Sequence, residues 1–545
     1  MGLLNRLEVS AEGDGSRFLD NEDLRATPPE KRTWDFKFYC LFWLAAVTNV
    51  SNWLSGSSFL ALGVGFWPGV GCATGGFAVS LWMIACGRPG ARWNIGFPVV
   101  CRSSFGVFGA GWPALNRAFM SCVWQGVNSV NGAQALYVML YAIFPSFRHT
   151  PKNTMSSGSA LTSGEMICFF VFLVFNILML MVDVRKWMRL TYAKIAVYCI
   201  SSAGMLALAV TKAGGVGPIV THGGSVTGSA KHWLHIQMIL TSAASCSTFA
   251  SNASDWQRMA RRPNDPIPGQ FFGFPLANFF TNVVGMLVAS CSQPIYGELV
   301  WNPVTFLKML LEDNYDAKHR AGAFFIAFGF VFSLLFSATV ENVYPCGNDL
   351  AALCPRYISV KRGFFICIAI SIALNPWYLL GSAAKFITVL SSYQIFLFSI
   401  AAIIMADYFL VSKGFFVYND LYHRRKEGTY WYTYGLNWRA FVAYFLGVGC
   451  NFAGFLNNLG VIHNTKLQRS YYFAIFSTTF VAGGSYWLLT RLFPQPNMRD
   501  SWSEPKGLWI PPECQAASED TVSEDKKEGS MAADVQEVPV HELRE

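Results

Sequence analysis

Roughly a dozen apolar stretches recur between Phe38 and Leu492. Each is about 20 residues long and so can cross the hydrocarbon core of a bilayer as a helix. Nearly all charged residues lie in the short segments between these stretches. The pattern predicts an all-α integral membrane protein with twelve transmembrane helices.

The composition is typical of a membrane protein and indicates which kinds of partner to expect. Hydrophobic residues make up 53% of the chain and charged residues 14%, whereas soluble domains carry about 25% charged residues. The net charge of +8 is spread over short loops and gives no indication of nucleic-acid binding. The sequence contains no P-loop, nucleophile elbow or kinase signature. We therefore expect a lipid bilayer and a small molecule as partners, and neither an enzyme nor a cofactor.

The chain divides into a membrane domain at 38–492 and two polar tails, at 1–37 and 493–545. Basic residues are concentrated in the loops after helices four, six, eight and ten, which predicts that both tails are cytoplasmic. The C-terminal tail is expected to be largely disordered because it has little apolar surface to bury. Lys526 and Lys527 in that tail are candidate acceptors for a ubiquitin ligase, although an ordinary solvated tail explains them equally simply.

Two of the predicted helices are interrupted by polar and small residues in mid-membrane. The interruptions are Thr48–Ser58 in helix one and Thr241–Ser254 in helix six, and paired interruptions of this kind indicate the central site of a transporter. They contribute Asn52, Ser245 and Cys246 as candidate substrate-binding residues. The alternative is that these small residues only allow the helices to pack closely.

Helix three carries Trp124 and Asn128, which are four residues apart and so share one face. A ring with an amide one turn away offers a stacking surface and a hydrogen-bonding edge, as a flat heterocycle requires. The alternative is that Trp124 fills the core and Asn128 bonds a neighbouring helix.

Helix eight ends with Glu341 and Asn342. A buried amide requires hydrogen-bond partners, and an ionisable group at membrane depth is a candidate for carrying a proton. Glu341 is therefore a candidate coupling residue, unless it lies in an aqueous vestibule at the helix end.

Other polar residues have less specific interpretations. Asp255 and Arg258 are spaced i, i+3, where opposite charges meet, and are candidates for an inner gate or a helix-end anchor. Lys194 is interpreted as an anchor at a helix end. The 14 cysteines show no paired CxxC spacing and are interpreted as small core residues, so no metal site is expected.

Several short motifs occur in order along nearly the whole membrane region, and together they resemble the nucleobase–cation–symport family one, in its fungal uracil, uridine and allantoin permease branch. These motifs are Asn21-Glu-Asp-Leu24, Phe97-Pro-Val-Val-Cys-Arg102, Trp112-Pro-Ala-Leu-Asn-Arg117, Asn252-Ala-Ser-Asp255, Cys346-Gly-Asn348-Asp-Leu350, Ala406-Asp-Tyr-Phe409, Asn437-Trp-Arg-Ala440 and Asn451-Phe-Ala-Gly-Phe455.

The resemblance implies a five-plus-five inverted repeat with broken helices one and six, two added helices, and uptake coupled to a cation. It implies that Trp124, Asn128 and Asn342 hold the substrate, and we expect Leu390 and Tyr393 of helix ten to close over it. The uracil-type relatives usually carry Gln where this chain has Asn128, and a small residue where it has Glu341.

The coupling ion implied by the resemblance is a proton. Ser333 and Ser337 match hydroxyls of the sodium site of the bacterial hydantoin relative, but Phe336 replaces a third, which favours H⁺ over sodium.

The first functional hypothesis is therefore a plasma-membrane proton symporter for a uracil-, uridine- or allantoin-like compound that works by alternating access. The second is a thiamine or nicotinamide riboside carrier of the same family, in which Glu341 neutralises a cationic substrate. A third, less favoured because no signalling domain is present, is a membrane receptor that binds without transport.

Overall fold

The structure is a computed structural model that describes residues 8–9, 18–149, 151–156, 159–182, 187–512 and 514–515. Regular structure in this part of the chain is helical, and β pairing is limited to two isolated bridges, Trp34–Ala260 and Thr433–Leu436. Lys526 and Lys527 lie outside the described residues. The all-helical class expected from the sequence is confirmed.

The first half of the chain holds twelve α-helical segments in the described part. They are α1 (Phe36–Ala46), α2 (Val50–Ala61), α3 (Phe66–Ala73), α4 (Gly75–Trp93), α5 (Phe97–Phe105), α6 (Gly111–Ile143), α7 (Ser163–Leu180), α8 (Trp187–Ala213), α9 (Ile219–His222), α10 (Gly228–Ala244), α11 (Ser247–Ser251) and α12 (Ala253–Gln257).

The second half continues the helical pattern and includes π-helical turns at Gly269–Gly273, Ser337–Val343 and Asp407–Val411. Its α-helices are α13 (Pro266–Pro268), α14 (Phe274–Tyr296), α15 (Pro303–Asp313), α16 (Ala317–Phe336), α17 (Tyr344–Leu353), α18 (Val360–Ala373), α19 (Ala383–Ser392), α20 (Gln394–Ala406), α21 (Trp438–Asn458), α22 (Thr465–Tyr472) and α23 (Ala474–Leu492).

Seven helical stretches of the described residues are long and apolar enough to cross a membrane, and an eighth is added if the bent pair α22–α23 is one span. This number is lower than the twelve expected. The difference has a physical reason, because the helices that face the interior of the bundle carry polar side chains. Helix α6 has 33 residues, yet Arg117, Gln125 and Asn128 are buried along it and reduce its hydropathy.

Both predicted interruptions contain a break in the helix. Helix α1 ends at Ala46 and α2 begins at Val50, where Asn49 caps α2 by accepting a hydrogen bond from the Asn52 backbone at 2.9 Å. The rest of the interval Thr48–Ser58 is helical. In the second interval, Ser245 and Cys246 separate α10 from α11. The regular helix is therefore interrupted at two places in the interior of the bundle.

Close packing positions the broken helix α2. It lies against α14, and a Cβ atom at Gly56 would come 2.4 Å from the carbonyl oxygen of Asn282. Helix α6 packs against α7, α16, α17 and α18. These two helices bring the first interruption and the Trp124 face of α6 to the same region.

The described parts of the two tails pack against one end of the bundle, which we call the tail end. Arg258 donates hydrogen bonds to the carbonyl oxygens of Asp23 and Arg25. At the same end Arg88 forms an ion pair of 2.7 Å with Glu504. Burial raises the pKa of Glu504, but hydrogen bonds from Arg88 and Tyr408 outweigh it and hold that pKa below its usual value.

Candidate substrate site

A small cavity lies between the two helix breaks, α6 and the π-helical turn Ser337–Val343. Its free volume is about 40 Å³, which exceeds the roughly 10–15 Å³ of free space that a cavity needs to hold one water molecule. It is lined by Asn49, Ser51, Asn52, Ser55, Arg117, Ser121, Trp124, Asn128, Ser245, Cys246, Thr248, Phe249, Asn252, Glu341, Asn342 and Leu390.

The structure brings together all six residues predicted to bind substrate. These residues all line the cavity: Asn52, Trp124, Asn128, Ser245, Cys246 and Asn342. Of the predicted coupling and gating residues, Glu341 and Leu390 line it as well, and Tyr393 contacts its wall by donating to the Ser245 carbonyl at 2.9 Å. Ser337, Asp255 and Arg258 lie outside the lining.

Asn128 presents a hydrogen-bond donor to the cavity. Its Oδ1 accepts from the Ser51 hydroxyl at 2.6 Å, and Ser51 Oγ in turn accepts from Asn131 Nδ2 at 3.4 Å. No hydrogen bond among the described residues uses Asn128 Nδ2. Because an amide nitrogen can only donate, this group is suited to bind a ligand carbonyl.

Asn342 presents the opposite group. Its Nδ2 donates to the backbone carbonyl of Ser337 at 3.1 Å, and a carbonyl can only accept, so the orientation of the amide is determined. No donor among the described residues reaches Asn342 Oδ1. The two amides therefore offer one free N–H donor and one free C=O acceptor to the same small cavity.

Trp124 provides a flat apolar wall. It is partly buried and lines the cavity, and no ring–ring contact among the described aromatic side chains involves it. Leu390 at the end of α19 lies across the same cavity. The hydrogen bond from Tyr393 to Ser245 joins this segment to the second helix break.

Beside the cavity, Lys194 is fully buried and forms an ion pair of 2.8 Å with Glu341. The Lys194 ammonium also donates to the Ala45 carbonyl at 2.6 Å and to Ser337 Oγ at 2.8 Å. All three N–H donors of the ammonium thus have acceptors. Interpreting Lys194 as an anchor at a helix end was wrong, because α8 begins at Trp187 and Lys194 lies about two turns inside it.

This ammonium lies where the last turn of α1 meets the π-helical turn after α16. Ser337 contacts it directly, and Phe336 places its ring 4.9 Å from Lys194 Nζ. Ser333 instead donates to the Thr48 carbonyl at 2.7 Å. The Lys194 side chain therefore occupies part of the region whose hydroxyls suggested a cation site.

A second buried ionic cluster lies at the tail-end side of the cavity. Arg117 donates through Nε to Asp349 and lies 3.9 Å from Asp255, which also accepts from the Phe97 backbone at 2.9 Å. The expected pairing of Asp255 with Arg258 is not found among the described ion pairs. Arg258 is instead directed to backbone carbonyls of the N-terminal segment, because that segment packs over it.

Several lining residues were not predicted from the sequence: Asn49, Ser51, Ser55, Arg117, Ser121, Thr248, Phe249 and Asn252. A signal existed for six of them, because they lie inside the two predicted interruptions: Asn49, Ser51, Ser55, Thr248, Phe249 and Asn252. Arg117 also carried a signal, being a charged residue six residues into a helix that must cross the membrane.

A family model described as "Permease for cytosine/purines, uracil, thiamine, allantoin" matches residues 26–476. This match spans most of the chain and contains every residue that lines the cavity. The chain belongs to this permease family. The resemblance inferred from the short motifs is therefore confirmed, and the chain is a multi-pass membrane transporter, not an enzyme.

Curated relatives within the permease family bear different substrate names. The uridine permease of Saccharomyces cerevisiae is 34% identical over 487 residues, covering 88% of this chain and 76% of that permease. The allantoin permease of the same yeast is 33% identical with the same coverage. Its thiamine transporter is 31% identical over 499 residues, covering 90% of this chain and 82% of that protein.

Solved structures support the transporter fold. Mhp1, described as a nucleobase-cation-symport-1 family transporter in a closed conformation with bromovinylhydantoin bound, matches with a TM-score of 0.69. The match covers 88% of this chain and 97% of Mhp1 at 17% identity. This permease and Mhp1 share the same overall fold.

Proposed function

We propose that this permease is a plasma-membrane proton symporter that imports a neutral heterocycle of the uracil, uridine or allantoin type by alternating access. Its membrane domain is a five-plus-five inverted repeat within twelve spans, with both tails in the cytoplasm. The observation that carries this proposal is the pair of complementary free groups in one cavity, Asn128 Nδ2 and Asn342 Oδ1.

An imide or ureide edge has a carbonyl beside a ring N–H, and these are the partners that the two amides lack. Asn128 Nδ2 donates to the ligand carbonyl, and Asn342 Oδ1 accepts from the ligand N–H. The ring stacks on Trp124, and Leu390 with Tyr393 closes the opposite side. Each unpaired buried polar group costs about 1–3 kcal/mol, so a ligand that satisfies both is strongly preferred over one that satisfies neither.

Proton coupling is assigned to the buried pair Lys194–Glu341. Glu341 lines the cavity directly before Asn342 in sequence, and its carboxylate contacts Lys194 and Ser337. A proton that enters on Glu341 removes the negative charge and leaves the Lys194 ammonium without its counter-charge. This weakens the contact between α1 and the π-helical turn, and so links a proton to the opening of the cavity.

A cationic vitamin such as thiamine or nicotinamide riboside is the second candidate, and yeast relatives with those names are 31% and 29% identical to this chain. Such a ligand needs an uncompensated negative charge in the cavity. The only carboxylate among the lining residues is Glu341, and Lys194 already neutralises it. This pairing favours the neutral heterocycle.

A competition panel tests the substrate. The chain is expressed in a host that lacks its own permeases, and unlabelled uracil, uridine, allantoin, thiamine and nicotinamide riboside compete with each labelled compound for uptake. We expect saturable uptake of one neutral compound that is inhibited weakly by the cations and lost when the proton gradient is collapsed. Uptake of thiamine that Glu341→Gln abolishes would establish the second candidate instead, and binding without accumulation would indicate a receptor.

A further inference from the structure

Three cysteine thiols from three different helices converge in the interior of the bundle. Cys122 Sγ is 3.8 Å from Cys346 Sγ and 3.7 Å from Cys367 Sγ, and all three sulfurs lie within 4.8 Å of one another. Each side chain is at most 1% exposed. In the described part of the chain this is the single group of three His, Cys, Asp or Glu side chains that is close enough to share a metal ion.

The spacing of the sulfurs fits a common metal ion. Zinc–thiolate bonds are about 2.3 Å long, so two sulfurs on one ion at tetrahedral or trigonal angles lie about 3.8–4.0 Å apart. The 3.7 and 3.8 Å distances from Cys122 match this edge, and the third pair of sulfurs lies within 4.8 Å. A disulfide needs about 2.05 Å between sulfurs, and the thiols are free.

The cluster is connected to the wall of the cavity through two of its members. Cys122 directly follows Ser121, which lines the cavity, and Cys346 lies four residues after Asn342 and so one turn beyond it on the same helix face. Helices α6, α17 and α18, which carry the three cysteines, pack against one another. An ion at this place joins the helices behind the two amides.

Charge decides which class of metal suits the cluster. Thiols that coordinate a metal lose their protons, so a divalent ion exchanges for three protons and gives a site with one net negative charge. A monovalent ion such as Cu(I) would leave two negative charges. Buried charge is costly, so the divalent ion is favoured, and thiolates select soft ions over Mg²⁺ or Ca²⁺.

We propose that Cys122, Cys346 and Cys367 form a three-thiolate site for a soft divalent metal ion of the Zn²⁺ type. This site is separate from substrate recognition and does not rest on the proposed substrate. It differs from the expectation that the cysteines are only small core residues, because eleven other cysteines of the chain have no comparable neighbours among the described residues.

The test is a Cd²⁺ titration of the purified full-length chain in detergent under reducing conditions, followed by the ultraviolet thiolate-to-metal charge-transfer band. We expect one Cd²⁺ per chain, release of three protons per ion, and displacement by Zn²⁺ but not by Mg²⁺. Cys122→Ser, Cys346→Ser and Cys367→Ser should each weaken binding by at least about 10–100-fold, the loss seen even when a partner of a metal ligand is removed.

Cys168→Ser is the matched control, because Cys168 is equally buried and is not part of the cluster; it should keep the band. Should any cluster variant fail to fold, the wild-type chain still decides the question by alkylation. Bound Cd²⁺ must then slow the alkylation of these three thiols, and not of Cys168, in the folded chain, where buried thiols react only during local opening. Absence of the band in the wild-type chain, or an unchanged band in all three variants, overturns the site.

Discussion

Two buried ionic clusters flank the cavity, and they differ in how their charges are balanced. In the first, one ammonium faces one carboxylate, and each N–H of Lys194 has an acceptor. In the second, Arg117 serves two carboxylates, and neither Asp255 Oδ2 nor Asp349 Oδ1 has a hydrogen-bond partner among the described atoms. The Lys194–Glu341 pair can gain or lose one proton while both side chains stay in place. In the second cluster, the charge of both carboxylates is balanced by a single guanidinium.

This difference separates a cluster that can switch on protonation from a cluster that only holds helices together, which we call the clamp. The Lys194 cluster joins α8, the end of α1 and the π-helical turn Ser337–Val343, which are the irregular parts of the fold. The Arg117 cluster joins α6, α12 and α17 on the tail-end side of the cavity. We infer that the first cluster governs coupling and the second governs the stability of the helix packing beside the cavity.

The largest effect is expected from Arg117→Met. Removing the cation leaves two buried carboxylates without compensation, and breaking a buried pair costs about 3–5 kcal/mol. Thermal unfolding in detergent, followed by size-exclusion fluorescence, should show a strong loss of folded protein. Adding Asp349→Asn to Arg117→Met should restore part of it; if the single variant were as stable as wild type, the second cluster would not be a clamp.

The next effect concerns coupling and uses Lys194→Met combined with Glu341→Gln. The double variant removes both charges, so it avoids the stability loss of an unpaired buried ion. In vesicles, labelled substrate should equilibrate but no longer accumulate when an inwardly directed proton gradient is imposed. Accumulation equal to that of wild type would show that the pair is structural, and the distinction between the clusters would fail.

A smaller effect is expected from Ser337→Ala. Its hydroxyl accepts from Lys194 and donates to Glu341 at 3.0 Å, so its loss weakens the pair by about 1–2 kcal/mol and leaves both charges in place. Gradient-driven uptake should fall about 5–30-fold while binding persists. Ser333→Ala is the control, because Ser333 bonds only the Thr48 backbone; equal loss in both variants would argue against a role of the ion pair.

The smallest effect concerns the partly buried pair Arg88–Glu504 at the tail end. The folded-state pKa of Glu504 lies below its usual value. The ionised Glu504 therefore stabilises the folded state above the unfolded-state pKa, about 4.3, and this stabilisation is lost as the pH falls from there through the folded-state pKa. Solvent screening limits this contribution to about 1 kcal/mol or less. Thermal stability measured from pH 6 downward should therefore fall less in Glu504→Gln than in wild type.

The control for this pair is the exposed residue Glu427. Glu427→Gln should follow the wild-type pH curve. A Glu504→Gln curve that also coincides with wild type would show that the tail-end pair contributes nothing measurable.

Much of the site was predictable because polar residues inside apolar stretches are few. Trp124, Asn128 and Asn342 stood out for that reason, and so did the two interruptions. The position of Lys194 was not predictable, since a shift of a few residues in the start of α8 moves it from the membrane surface to the interior. The partner of Asp255 was also missed, because spacing along one helix indicated Arg258 whereas packing between helices brought Arg117.

Hydropathy also gave fewer membrane-spanning helices than the twelve that we predicted. Hydropathy identifies helices that face lipid, and α6 and α2 face the cavity instead, with Arg117 on one and a row of serines on the other. The convergence of Cys122, Cys346 and Cys367 had no signal in the sequence, because 21 or more than 200 positions separate them along the chain and only tertiary packing brings them together.

The most direct test of the central claim uses the neutral ligand selected by the competition panel and its analogue methylated at the ring nitrogen. Both are measured as inhibitors of uptake by the wild-type chain, by Asn342→Ala, and by the exposed control Asn116→Ala. In wild type and in the control, the unmethylated ligand should inhibit uptake at about 10–100-fold lower concentration than its methylated analogue, because methylation leaves Asn342 Oδ1 unpaired. Asn342→Ala should lose most of that preference. An unchanged preference in Asn342→Ala would contradict the proposed recognition.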